Sequence, residues 1–102
     1  MCTMTWSERE DGYEVLFNRD ERRTRKPAAP PSIRQAGSLR YLAPADGDFG
    51  GAWIAVNELG LTLAIENGYL DQDDLSREPA GGFTSRGLLV TSLAGETTVG
   101  AV

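Results

Sequence analysis

The one cysteine of this chain is Cys2, directly behind Met1 and at the head of the run Cys2-Thr3-Met4-Thr5-Trp6. Once Met1 is removed, the thiol and a free α-amine belong to one residue, so a nucleophile and its base share a single atomic framework. An unperturbed α-amine titrates at roughly 7.7 to 8 and a thiol at about 8.5, so a small environmental shift poises both near neutral pH. Such a residue needs no histidine, and the chain has none. The Cys-His dyad, the serine triad and histidine-ligated metal sites are thereby excluded.

Around this residue the chain has ordinary globular composition: 102 residues, 40% hydrophobic and 25% charged. That is enough for at most one domain with a modest core. The net charge of −5 is unevenly divided. Residues 1–40 carry eight basic and six acidic side chains, and residues 41–102 two basic and nine acidic. A net acidic balance argues against a nucleic-acid partner, which calls for a basic face. No apolar run approaches the length of a membrane span, and no basic segment followed by an apolar one marks a secretory signal. A cytoplasmic address is the expectation, and a lone cysteine, which cannot form an internal disulfide, fits a reducing compartment.

The elements that must position Cys2 read as strands. Cys2 to Ser7 and Tyr13 to Asn18 are rich in β-branched and aromatic residues, and Asp11-Gly12 is a hairpin signal between them. Tyr13, Val15 and Phe17 share one face and Glu14, Leu16 and Asn18 the other, an apolar and a mixed face that predict cover on both sides. Arg19 to Ser38 holds Lys26-Pro27-Ala28-Ala29-Pro30-Pro31 and reads as the longest loop, extended or irregular. A short strand is expected near Arg40 to Ala43. Ala52 to Asn57 and Leu61 to Asn67, joined by Glu58-Leu59-Gly60, form a second hairpin. Gly68 to Phe83 reads as a polar loop, and Thr84 or Ser85 as the N-cap of a helix over Arg86 to Ala94. The fold class is α+β, with antiparallel sheet and helix.

Four motifs then occur in order: Met1-Cys2-Thr3, Asn18-Arg19-Asp20-Glu21, Gly50-Gly51-x-Trp53-x-x-Val56-Asn57-x-x-Gly60 and Thr84-Ser85-Arg86-Gly87. Together they resemble the NRDE family, relatives of the transport and Golgi organisation proteins, over residues 1 to about 90. The resemblance extends to the N-terminal-nucleophile hydrolases of the cholylglycine hydrolase and penicillin V acylase group. It implies an αββα sandwich with antiparallel sheets, of which residues 1–102 would be the N-terminal portion. The chain closes on Gly100-Ala101-Val102 without a polar tail, which prompts the same expectation, together with apolar sheet left exposed and association between copies.

By that likeness Cys2 is the nucleophile, Arg19 lies beside the thiol, Asp20 holds the amine, and Asn67 contributes to the oxyanion hole. Elementary chemistry agrees with these roles. A guanidinium keeps its charge and favours a thiolate, and a carboxylate raises the basicity of a neighbouring ammonium. A side-chain amide aimed at a developing oxyanion is worth about 3 to 4 kcal/mol of barrier. The implied reaction is thioester-mediated hydrolysis of a small-molecule amide, with no cofactor or metal. The same resemblance also implies a second class, a non-enzymatic carrier of haem or lipid-related ligands, in which Cys2 or a methionine would have to serve as axial ligand or binding would be apolar and without one.

Blander readings stand beside each residue. Arg19 and Asp20 would form an ion pair closing a strand, and Arg22, Arg23, Arg25 and Lys26 a solvated charge run. Asn57 reads as a turn residue, Trp53 as core or pocket wall, and Ser85-Arg86-Gly87 as the opening of a helix. Gly50-Gly51 lacks the remainder of a phosphate-binding loop, and Asp71-Gln72-Asp73-Asp74 lacks the glycine and terminal glutamate of a calcium loop.

Overall fold

The computed structural model describes residues 2–20, 23–66 and 86–102. Strands β1 (Thr3–Arg9) and β2 (Gly12–Asn18) pair as an antiparallel hairpin, with Thr3 opposite Asn18 and Arg9 opposite Gly12. Directly opposed residues share a face, so Met4, Trp6, Tyr13, Val15 and Phe17 lie together, as their alternation predicts. The opposite face is not covered: its Leu16 is 64% exposed.

A four-stranded antiparallel sheet follows, in spatial order β3 (Ala29–Ala36), β4 (Leu39–Ala45), β5 (Ile54–Asn57) and β6 (Thr62–Ala64). Strand β3 corrects the expectation of an unbroken loop from Arg19 to Ser38. Its prolines, Pro30 and Pro31, cannot donate to a ladder, but β3 is an edge strand and its register slips between Ala29 and Ser32. Both features admit proline. The turn into β4 is the two-residue Gly37-Ser38, with Gly37 at φ +61° and Ser38 on the ordinary side, the arrangement that suits a tight hairpin.

Helix α1 (Gly87–Leu93) and a 3-10 turn (Val99–Ala101) complete the described elements, and the class is α+β. The helix begins at Gly87 with Arg86 at the N-cap and no side-chain capping bond, which corrects the expected cap at Thr84 or Ser85, residues that themselves lie outside those described. Helix α1 packs on one face of the four-stranded sheet, where Tyr41, Ala43, Ala52, Ala55, Val90 and Ala94 form the core. Alanines dominate because the helix approaches closely. At its start the backbones touch: a Cβ on Gly51 would stand 2.6 Å from the Gly87 carbonyl carbon, and the Ala52 N–H donates to Gly87 O at 3.1 Å. Two motif glycines from distant segments thus meet for a steric reason.

The other face of that sheet meets the β1–β2 hairpin. The Tyr13 hydroxyl donates to Gly60 O at 2.5 Å and lies 2.5 Å from Thr62 Oγ1, tying the hairpin's turn end to the β5–β6 turn. The layers run helix, four-stranded sheet, hairpin.

One buried polar side chain fixes this arrangement. Asn57 donates through Nδ2 to Ala94 O (3.2 Å) and Glu96 O (2.8 Å) and accepts at Oδ1 from the N–H groups of Leu59 (3.0 Å) and Leu61 (3.1 Å). Every donor and acceptor of the amide is used. It is a turn residue, as its sequence context predicts, and it also clamps the chain that leaves α1. Asn57→Ala leaves four backbone groups without this partner, and chemical denaturation is expected to show a loss of about 3 kcal/mol. A loss below about 1 kcal/mol would remove Asn57 from this role.

Candidate functional site

The β1–β2 register ends with Thr3 opposite Asn18, and Cys2, Arg19 and Asp20 are the residues that immediately flank this pair along the two chain segments. Cys2 is half-buried and reduced. Three of the four predicted site residues therefore share the open end of one hairpin. The fourth, Asn67, lies outside the described residues.

Asp20 is exposed, and its carboxyl is held below the usual carboxylate range. The leading cause is a hydrogen bond from the terminal amine, which in the unprocessed chain is that of Met1, and the charge of that amine is the second, against desolvation. The carboxylate and the amine thus stabilise each other's charged forms.

Arg19 does not form the strand-closing ion pair with Asp20 that a local reading suggests as its bland alternative. Its Nη2 donates to Asp46 Oδ2 at 2.8 Å, and the two side chains are 16% and 13% exposed. The same guanidinium lies 4.1 Å over the ring of Trp53. Delocalised and planar, it accommodates a carboxylate at its edge and an aromatic face beneath it. Trp53 is in this sense a wall of the site.

Asp46, just past β4, is the functional residue that sequence reasoning missed. It accepts from Arg25 Nη2 at 2.7 Å and, through Oδ1, from the N–H groups of Asp48 (2.7 Å) and Phe49 (3.3 Å). Burial pushes its carboxyl up, but the Asp48 and Phe49 N–H groups and the Arg25 guanidinium outweigh that and hold it below the ordinary range. Arg25 also donates to Asp48 Oδ2 at 3.1 Å and lies 5.4 Å over Phe49. Arg25 is therefore no member of a solvated charge run, a correction that its neighbour Arg23, which is exposed, does not need. The signal for Asp46 was local: Asp46-Gly47-Asp48 is an Asx-turn sequence, whose carboxylate folds back onto N–H groups two and three residues on.

Among the described residues no cluster of acidic or cysteine side chains is arranged to hold a metal ion, and no helix is long and apolar enough to cross a membrane. A groove of about 500 Å3 separates the hairpin from the sheet, lined by Tyr13, Val15, Leu42, Pro44, Ile54 and Val56 among others. Its lining is mainly apolar, and Cys2, Arg19 and Asp20 do not border it. Val15 is four residues from Arg19 along β2, about 13 Å. The groove and the Cys2 end occupy different parts of the hairpin.

No family model matches the chain, and neither a curated protein nor a solved structure matches it.

Asp46→Ala unties Arg19, Arg25 and the turn together and is expected to lower unfolding free energy by about 2 kcal/mol at pH 7. Because the folded-state carboxyl titrates below its unfolded value of about 3.9, the stabilisation is present above that pH and lost as pH falls through the folded value. Stability curves of the two proteins should converge below about pH 4. A difference that persists into acid would show that the carboxylate charge is not its source.

Proposed function

We propose that this chain is the N-terminal portion of an N-terminal-nucleophile cysteine hydrolase of the NRDE type, acting on a small-molecule amide in a reducing compartment such as the cytoplasm. The observation that supports the reading is the placement of Cys2, Arg19 and Asp20 at one hairpin end, with Asp20 drawn to the amine of Met1, one residue before the amine that processing would expose. The four motifs support it, and so does the succession of helix, antiparallel sheet and second antiparallel layer that an αββα sandwich would require of its first half.

In this mechanism the α-amine of Cys2, exposed by loss of Met1, takes the thiol proton as sulfur attacks the amide carbonyl carbon. The tetrahedral oxyanion is stabilised by side-chain amide donors, with Asn67 assigned on its motif position. The C–N bond breaks, the amine base returns its proton to the leaving nitrogen, and a thioester remains on Cys2. Water, deprotonated by the same base, attacks the thioester and releases the carboxylic acid and the thiol. Asp20 orients the α-amine through both steps, and the Arg19 guanidinium favours the thiolate.

The test begins with the intact mass of the protein purified from cells, which should lack Met1. Incubation of the processed complete protein with a panel of N-acyl amino acids should then release free amine, and Cys2→Ala in that protein should cut the release by roughly three orders of magnitude or more. Undiminished turnover in Cys2→Ala would sink the proposal.

The apolar groove favours a second reading, a carrier of haem or of a lipid-related ligand. Histidine is absent, and Cys2 does not line the groove, so binding there would be apolar and without an axial ligand. Titration with haem should give a saturable shift of its absorption band, abolished by Val56→Asp. The absence of a shift removes the haem carrier.

A further inference from the structure

We infer that Asp46 is a positioning residue for Arg19, fixing its guanidinium flat against Trp53 at the Cys2 end of the hairpin; the inference rests on the N-terminal-nucleophile reading of Cys2. Three observations lead to it. The Arg19–Asp46 contact, at 2.8 Å, is withdrawn from solvent, and that burial distinguishes it from the exposed Arg9–Glu14 pair on the first hairpin. Asp46 is itself immobilised: Oδ1 is held by two backbone N–H groups of its own turn, leaving Oδ2 aimed at both Arg19 and Arg25. The third is the stacking of the same guanidinium on Trp53, which restricts it to one plane.

A flexible arginine beside a thiol would favour the thiolate only during the fraction of time it points there. An arginine held at its edge by a carboxylate and at its face by an indole is preorganised, and preorganised charge acts without reorganisation as the reaction proceeds. The carboxylate has a second, opposing effect, since its own negative charge offsets part of the guanidinium's field at the thiol. The two effects differ in sign. Their balance at Cys2 is therefore an experimental question with a readable direction.

Asp46→Asn separates them. Its side-chain oxygen still accepts from the N–H groups of Asp48 and Phe49, so the turn is kept, while the charge that holds Arg19 is gone. The measurement is the second-order rate of Cys2 alkylation by iodoacetamide at pH 7 in the full chain, for wild type, Arg19→Ala, Asp46→Asn and the double variant. Arg19→Ala should slow alkylation about threefold, as loss of a cation beside a thiol lowers its reactivity. Asp46→Asn should slow it by a similar factor, and the double variant should be no slower than Arg19→Ala alone. Asp46→Glu, which keeps the charge, should restore most of the rate.

Removal of a nearby negative charge by itself quickens thiol alkylation, so slowing in Asp46→Asn traces to a displaced Arg19. An unchanged or faster rate in Asp46→Asn, with Arg19→Ala slow, overturns the positioning role and leaves the hydrolase reading standing. An unchanged rate in Arg19→Ala overturns the premise that Arg19 acts on Cys2, and the inference with it. Should Asp46→Asn fail to fold, Asp46→Ser decides in its place, since its hydroxyl can still accept from the turn N–H groups while the charge is gone: slowed alkylation supports the role, and wild-type speed overturns it.

Discussion

A single carboxylate, that of Asp46, joins parts of the chain that have no other strong reason to meet. Arg19 ends the first hairpin, Arg25 belongs to the segment leading into β3, and Asp48 and Phe49 belong to the turn after β4. All four reach the same two oxygens. The constraint is stringent because a partly buried carboxylate without cations and N–H donors would be driven to protonate or to move into water. With them, its position is determined by several short bonds, and the end of the hairpin that carries Cys2 is located relative to the sheet. The opposite end is located by the Tyr13 hydroxyl on Gly60 and Thr62.

The hairpin needs this attachment. Two strands alone are marginal in water, and the β1–β2 pair has no third strand among the described residues. Between its two fixed ends lies a groove in place of a packed interface, and Trp6, on the face turned toward the sheet, is 67% exposed. The hairpin is thus held at its ends by polar contacts more than along its length by apolar burial. The helix side of the sheet is built in the opposite way, with alanines, facing glycines and one fully satisfied asparagine bringing backbones into direct contact. The same sheet carries a dry, close-packed face and an open one.

How much of this could be read from the chain follows from the range of the interactions. β1, β2, β5 and α1 announce themselves through alternation, turn residues and a helical run, all of which are local signals. β3 was hidden because Pro30 and Pro31 were read as breakers, although the Gly37-Ser38 turn after Ile33 and before Leu39 is a hairpin signal in its own right. The prolines report an edge and a register slip, not the absence of a strand. Asp46 was not legible as a partner of Arg19, since the two are separated by 27 residues and no periodic pattern links them. Arg25 was misread for the same reason, its carboxylates lying 21 and 23 residues away. The motif glycines Gly51 and Gly87 were visible as residues, but their purpose became clear only once their backbones were seen to touch.

The Cys2 end of the hairpin differs from a bare cluster of charges in how those charges are arranged. Arg19 and Arg25 face Asp46 and Asp48, so the network as a whole is close to neutral, and Asp20 is engaged by the terminal amine. The fields of these opposed charges cancel beyond a few ångströms and are screened within about a Debye length. At contact distance the cancellation fails, since each group presents a definite edge or face to whatever lies against it. Such a site discriminates through geometry more than through net charge. On the hydrolase reading proposed above, an uncharged amide carbonyl, polarised only as it reacts, is the kind of group that would benefit from local fields of this sort without requiring a charged surface to draw it in.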